Sequence, residues 1–203
     1  AYNYKTDQRG VASVLASAEV VVPILRALFQ PTSVVDIGCG TGDWLSVWKR
    51  HGVSIVRGYD GIWVPKEGLM ISEDEFQTVD FCDAVPSLGS ADLAMCLEVA
   101  EHVPDSVGKK FVSLLCSTAP VVVWSAAVPG QSGFGHINER YLDYWVQQFD
   151  KHGYRPCDYV RPKIWCNPNV SWWYQQNLVV FASKEAGAHF NLVLSGSPPG
   201  YIH

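Results

Sequence analysis

Hydrophobic positions along this chain change their period repeatedly, and each change marks an element. Residues 13–29 are apolar at helical spacing. Glu19, Pro23 and Arg26 interrupt the apolar stretch from Val11 to Phe29, which predicts an amphipathic helix rather than a membrane span. A short apolar run from Ser33 to Gly38 predicts a first strand, Asp43 to His51 a helix, and Ser54 to Asp60 a second strand. Phe76 to Asp80 reads as a weaker strand, Ala91 to Leu97 as the next, and Ser106 to Ser117 as the helix after it. Val121 to Ala126 is almost wholly β-branched or apolar, the pattern of a strand covered on both faces. Val128 to Gly135 holds Pro129 and three glycines and predicts a loop. Tyr141 to Lys151 reads as a helix stopped by Gly153, and Tyr154–Trp165 with Asn177–Ser183 as a closing antiparallel pair. The tail from Ser195 is rich in Gly and Pro and is expected to fray. Strands alternating with helices predict a largely parallel α/β sheet, and neither a repeat nor a linker divides the chain.

Composition narrows the picture. With 203 residues, 48% hydrophobic and 17% charged, the chain suits one compact domain and not a disordered segment. The net charge of -5 supplies no attraction toward phosphate backbones or anionic membranes, which argues against nucleic acid or a membrane as partner. The six cysteines lack CxxC spacing and several sit in apolar runs, so reduced, buried thiols in a cytoplasmic setting are expected. The first residue is Ala1, which leaves a preceding targeting segment open. Aromatic residues gather late in the chain. Trp165, Trp172, Trp173 and Tyr174 are candidates for the wall of an acceptor pocket, whereas Tyr141, Tyr144 and Trp145 have the spacing of a core helix face. Arg155, Arg161 and Lys163 read as a solvated strand face, with pairing to an anionic substrate as the alternative.

The sharpest chemical signal is Val34-Val35-Asp36-Ile37-Gly38-Cys39-Gly40-Thr41-Gly42-Asp43. A buried strand runs into three alternate glycines and then a helix, so the backbone can approach a ligand closely. A GxGxxG dinucleotide loop would need its third glycine at 43, where this chain has Asp43. Asp36 ahead of the loop would repel a pyrophosphate and suits a ligand with an ammonium group. Asp60 ends the second strand, where a carboxylate can accept from both hydroxyls of a ribose. Asp80, with Phe81 beside it, ends the third strand and is placed to hold an adenine. The alternative is that these acids only cap strands or turns.

Together the DxGxGxG loop, the strand-two acid and the strand-three Asp resemble class I S-adenosylmethionine (SAM)-dependent methyltransferases over roughly residues 30–130. The resemblance implies a single Rossmann-like α/β domain over 1–203 with a mostly parallel seven-stranded sheet and helices on both faces. Its parts would be an N-terminal helix (1–30), a SAM-binding core (31–130), an acceptor region with closing strands (131–185) and a tail (186–203). It further implies that Asp36, Gly38, Cys39, Gly40 and Gly42 face the methionine end of SAM, Asp60 and Gly61 the ribose, and Asp80 and Phe81 the adenine.

A second constellation lies after the fourth strand, in Glu98-Val99-Ala100-Glu101-His102. One helical turn over 98–102 would bring Glu98, Glu101 and His102 onto one face, a half-shell for Mg²⁺ or Mn²⁺. This ExxEH pattern resembles two groups of metal-dependent O-methyltransferases, the small-RNA 2′-O-methylating and the ubiquinone-pathway enzymes. That resemblance implies a metal held by Glu98, Glu101, His102 and His136. Without metal, His136 serves as general base with Glu139 orienting it. The plainer readings are that Glu98 closes the SAM pocket, His102 is a core histidine and His136 pins a glycine-flanked loop. O-methylation of a small-molecule hydroxyl is the expected reaction. An RNA 2′-O-methyltransferase and a non-catalytic SAM-binding module remain as alternatives, and the oligomeric state is not readable.

Overall fold

The computed structural model describes residues 8–83 and 87–196. Its centre is one sheet of seven strands in the order β3-β2-β1-β4-β5-β7-β6. The strands are β1 (Ser33–Ile37), β2 (Ile55–Asp60), β3 (Phe76–Thr78), β4 (Leu93–Leu97), β5 (Val121–Ser125), β6 (Tyr154–Cys157) and β7 (Val179–Ser183). β1 pairs in parallel with β2 and β4, β3 with β2 and β5 with β4, while β7 runs antiparallel to both β5 and β6. The sheet is therefore mixed, mostly parallel with one reversed strand.

The apolar strand runs fill two cores by their alternation. In β5, Val121 and Val123 enter one core and Val122 and Trp124 the other, as strands buried on both faces must. The first core packs under α1 (Gln8–Phe29) and α2 (Asp43–Arg50), joined by Val160, Ile164 and Tyr174. The second packs under α3 (Asp105–Thr118) and α4 (Leu142–Asp150), through Phe111, Leu115, Trp145 and Phe149. Three short helices complete the chain: α5 (Arg161–Ile164), α6 (Trp172–Asn177) and α7 (Lys184–His189).

Several expected elements are shorter or different. The strand expected over Tyr154–Trp165 stops at Cys157 and gives way to α5. Arg161 explains the change. It is fully buried, and its Nε and Nη2 donate to Asp158 at 2.8 and 2.6 Å while Nη1 donates to the Gln176 carbonyl at 3.0 Å. It is thus an internal clamp and not part of a solvated face. Arg155 pairs with Asp150 at 2.8 Å, and the Lys163 ammonium lies over the Tyr159 ring. Pro156 is tolerated in β6 because that strand is the edge of the sheet. Asn177 ends α6 rather than opening β7. On α4, Trp145 is core, but Tyr144 is half-buried and bonds Asp105, and Tyr141 is exposed. Cys39, Cys96 and Cys157 are buried and Cys116 is half-buried, whereas Cys82 and Cys166 are exposed; all six are free thiols. No helix among the described residues is long and apolar enough to cross a membrane. The tail expected to fray lies outside the described residues from 197 onward.

Candidate functional site

A cavity of about 690 Å³ opens where the loops after β1, β2, β4 and β5 meet. Its floor is the glycine loop. Gly38, Gly40 and Gly42 all have positive φ, at +75°, +56° and +88°. At Gly38 a Cβ would stand 2.3 Å from Val99 Cγ2, so any side chain collides with the wall. Gly42 sits in the left-handed conformation directly ahead of α2 and turns the loop into the helix. The Gly40 N–H donates to Asp60 Oδ2 at 2.7 Å and the Gly61 N–H to Oδ1 at 2.6 Å, which fixes that carboxylate at the cavity edge.

Charge in this wall is one-sided. Asp36, Asp43, Asp60, Glu98 and Glu101 line it, and among the described lining residues there is no Lys or Arg. Burial, then the negative charges of Asp60 and Asp43, push the Asp36 carboxyl up to about 8. Asp43 takes a bond from the Thr41 hydroxyl at 2.6 Å, and its Oδ1 is buried without a partner. Burial raises Asp60 as well, against the opposing pull of its bonds from Gly61 and Gly40. Carboxylates crowded in this way are relieved by a cationic ligand, whose charge replaces the water they have lost.

The second constellation forms differently from a single helical turn. Only Ala100–His102 makes a 3₁₀ turn, and Glu98 stands before it with φ +55°. Glu98 accepts from Gln131 Nε2 at 3.1 Å and Asn177 Nδ2 at 3.3 Å, so loop and α6 hold it apart. The Glu101 carbonyl accepts from the N–H groups of Ile137 (2.8 Å) and Asn138 (3.0 Å). Those two bonds tie the loop after β5 to the turn and bring His136 against His102, ring centroids 4.8 Å apart.

Ligand atoms of Glu101, His102 and His136 lie within 4.8 Å of one another, and Glu98 is outside this group. Glu101 is 0% exposed, and neither carboxylate oxygen meets a donor at bonding distance and angle. Burial, then the charge of Glu98, raises it well above the usual range; the backbone N–H groups of Glu101 and Ala127 offset part of this. Burial, then His136, lowers His102 and keeps its imidazole neutral. His136 Nδ1 lies 2.9 Å from Glu139 Oε1, and Glu139 Oε2 accepts from the Gly130 N–H at 2.9 Å.

Of the residues expected from sequence, Asp36, Gly38, Cys39, Gly40, Asp60, Glu98, Glu101, His102 and His136 line the cavity. Gly42, Gly61 and Glu139 support it from behind. Asp80 is exposed and accepts from the Cys82 N–H at 2.9 Å, while Phe81 packs edge-on against Phe111, so neither is in the wall. Sequence reasoning missed Asp43, Trp63, Gln131 and Phe134 as lining residues. Asp43 and Phe134 had a signal in the adjoining glycines; Gln131 had none.

A mixed seven-stranded sheet with a glycine loop and an acidic ligand cavity at its strand ends defines an α/β ligand-binding enzyme fold. Within that class, the chain belongs to the methyltransferase-domain family, whose model matches residues 14–155. The sugar N-methyltransferase KedS8 from Streptoalloteichus sp ATCC 53650 superposes with a TM-score of 0.66 at 15% identity, covering 90% of this chain and 93% of that one. Magnesium protoporphyrin IX methyltransferase from Synechocystis PCC 6803, with bound S-adenosylhomocysteine (SAH), gives 0.60 at 15% identity over 91% and 90%. Human N-acetylserotonin methyltransferase in complex with SAM gives 0.56 at 15% identity over 82% of this chain, which spans 51% of the human one. No functionally curated protein matches the chain in sequence.

Proposed function

We propose that this chain, as a single domain, transfers the methyl group of SAM to a hydroxyl of a small-molecule acceptor. One observation carries the reading: Glu101, His102 and His136 converge on the cavity that the glycine loop and Asp60 also line. SAM carries a sulfonium and an ammonium, and the cluster of Asp36, Asp43 and Asp60 favours such a cation. Family membership and the cofactors held by the human and Synechocystis proteins support the same choice. In this reading Asp36, Gly38, Cys39, Gly40 and Gly42 face the methionine end. Asp60 and Gly61 hold the ribose and Glu98 closes the pocket, while Asp80 and Phe81, outside the wall, are given no part in it.

The sulfonium is its own leaving group, so the protein's tasks are alignment and removal of the acceptor proton. The unpartnered Glu101 carboxylate and the neutral His102 imidazole fit a divalent cation such as Mg²⁺ or Mn²⁺, shared with His136. When bound, such an ion lowers the pKa of the acceptor hydroxyl. Held by Glu139, His136 would then serve the ion as a ligand and not as the base, and the acidified hydroxyl would lose its proton to solvent. The Nδ1 contact of 2.9 Å to Glu139 favours a second reading, in which this pair acts as general base without metal.

Calorimetric titration of Mn²⁺ into the SAH-saturated protein separates the two. One-to-one binding that disappears in Glu101→Ala, with label transfer from SAM stopped by chelator, is the expected result. Absence of Mn²⁺ binding, with transfer intact in chelator and lost in His136→Ala, moves the chemistry to the His136–Glu139 pair. Failure to transfer label to any extract acceptor removes the enzymatic reading.

A further inference from the structure

Asp60 already holds more donors than a carboxylate awaiting a ribose can keep. The Gly40 N–H donates to Oδ2 at 2.7 Å and the Gly61 N–H to Oδ1 at 2.6 Å. The Trp63 indole N–H is a third donor to the same carboxylate. Trp63 stands in a turn that the Val64 N–H closes on the Gly61 carbonyl at 3.2 Å, and Val64 anchors that turn in the first core. The indole lies on Gly61, where a Cβ would stand 2.2 Å from Trp63 Cη2, so any side chain there collides with it. Yet Trp63 is 52% exposed, belongs to neither core and lines the cavity beside Asp60.

A carboxylate offers about four lone-pair positions. The two backbone donors are built into the glycine loop and the residue after β2, and they stay. A ribose that donates both hydroxyls needs two positions, so the ligand and the indole claim the same one. Only the half-exposed Trp63 side chain can give way without disturbing the fold. The base of the nucleoside meanwhile lacks the aromatic partner expected from sequence, because Phe81 packs on Phe111 outside the wall. An indole released at the cavity edge is the kind of surface on which nucleobases stack.

We propose that Trp63 is a nucleoside-binding residue that stands in for the ribose in the empty protein. The ribose diol displaces its indole from Asp60, and the freed ring stacks on the base. The inference rests on the SAM reading for the identity of the ligand, and it adds to that reading a residue and an exchange of partners. Trp63 thus opposes binding through its N–H and favours it through its ring, and the two contributions separate by substitution.

Calorimetry with SAH and ligand-observed NMR titration with adenosine, on the parent protein, Trp63→Phe and Trp63→Ala, test this. Both changes fall at a half-exposed position outside the two cores, so the fold does not depend on them. Trp63→Phe keeps a ring and removes the N–H, and it is expected to bind both ligands about threefold tighter than the parent. Trp63→Ala removes the ring as well and is expected to bind them at least about fivefold more weakly than Trp63→Phe. In isotope-labelled protein, the indole N–H signal missing from Trp63→Phe belongs to Trp63. Its exchange with water is expected to quicken when adenosine saturates the site. Trp63→Phe no tighter than the parent, Trp63→Ala as tight as Trp63→Phe, or exchange that does not quicken each overturns the proposal, while SAH binding leaves the cofactor reading standing. If adenosine follows the expected order and SAH fails to bind, the SAM reading falls and Trp63 remains a nucleoside-binding residue. Binding of neither ligand overturns both.

Discussion

At the scale of single residues, the two buried acids Asp36 and Glu101 shape what the cavity can hold. Asp36 is raised from 3.8 to about 8, so between those values the folded, empty protein holds a proton that the unfolded chain has released. The sign follows: its contribution to stability is present below about pH 4 and is lost as pH rises toward about 8. Thermal melts of the empty protein are therefore expected to fall over this range, with a shallower fall in Asp36→Asn. An ammonium beside Asp36 favours the ionised form, so SAH binding near neutral pH releases a proton. Calorimetry in buffers of different ionisation enthalpy measures that release, which Asp36→Asn should abolish. Glu101 is a carboxyl buried with no donor at bonding distance and angle, and burial holds it toward its protonated form. Glu101→Gln, which has no proton to lose, is expected to melt above the parent protein as pH rises past neutrality while removing Mn²⁺ binding, the trade of stability for function that active sites show. Equal melts in the two proteins would refute that trade.

Among the elements, α6 matters most, because it carries Trp172, Trp173 and Tyr174 of the cavity wall, and α5 braces it. Arg161 joins them, taking Asp158 from ahead of α5 and the Gln176 carbonyl from α6. Removing one partner of a buried ion pair leaves the other partly desolvated and alone. Arg161→Met is expected to cost about 2–4 kcal/mol in chemical denaturation. With α6 loosened, acceptor KM should rise more than kcat falls. A fall confined to kcat would mean that the clamp acts on the chemistry rather than on the wall. The loop after β5 is the other positioning element, since the Glu101 carbonyl grips Ile137 and Asn138 and so sets His136 beside His102.

For the whole molecule, the cavity unites elements distant in sequence, so ligand binding should stabilise the fold globally. SAH at a hundred times its Kd is expected to add about 2.7 kcal/mol, a Tm rise of roughly 5–10 °C for a chain of this size. A melt unchanged by saturating SAH would count against the assigned cofactor. The same mixed sheet sets the polarity of the site. β1, β2, β4 and β5 run parallel, so their carboxyl ends open on one edge, while the reversed β7, lying between β5 and the edge strand β6, presents its amino end there.

Local patterns in the chain were enough for the core strands, the glycine loop and the acids at its edge. Alternating apolar residues commit a strand to two buried faces, and the turns at Gly38, Gly40 and Gly42 need positive φ whatever surrounds them. ExxEH and His136 were legible as chemistry but not as geometry. Only the tertiary structure held Glu98 out of the turn, through side chains from Gln131 and Asn177 that no spacing rule connects to it. It alone buried Arg161, ending the expected long strand, and it alone left Asp80 and Phe81 outside the cavity wall. Those outcomes depend on which distant groups meet, and that is decided by packing across the whole chain.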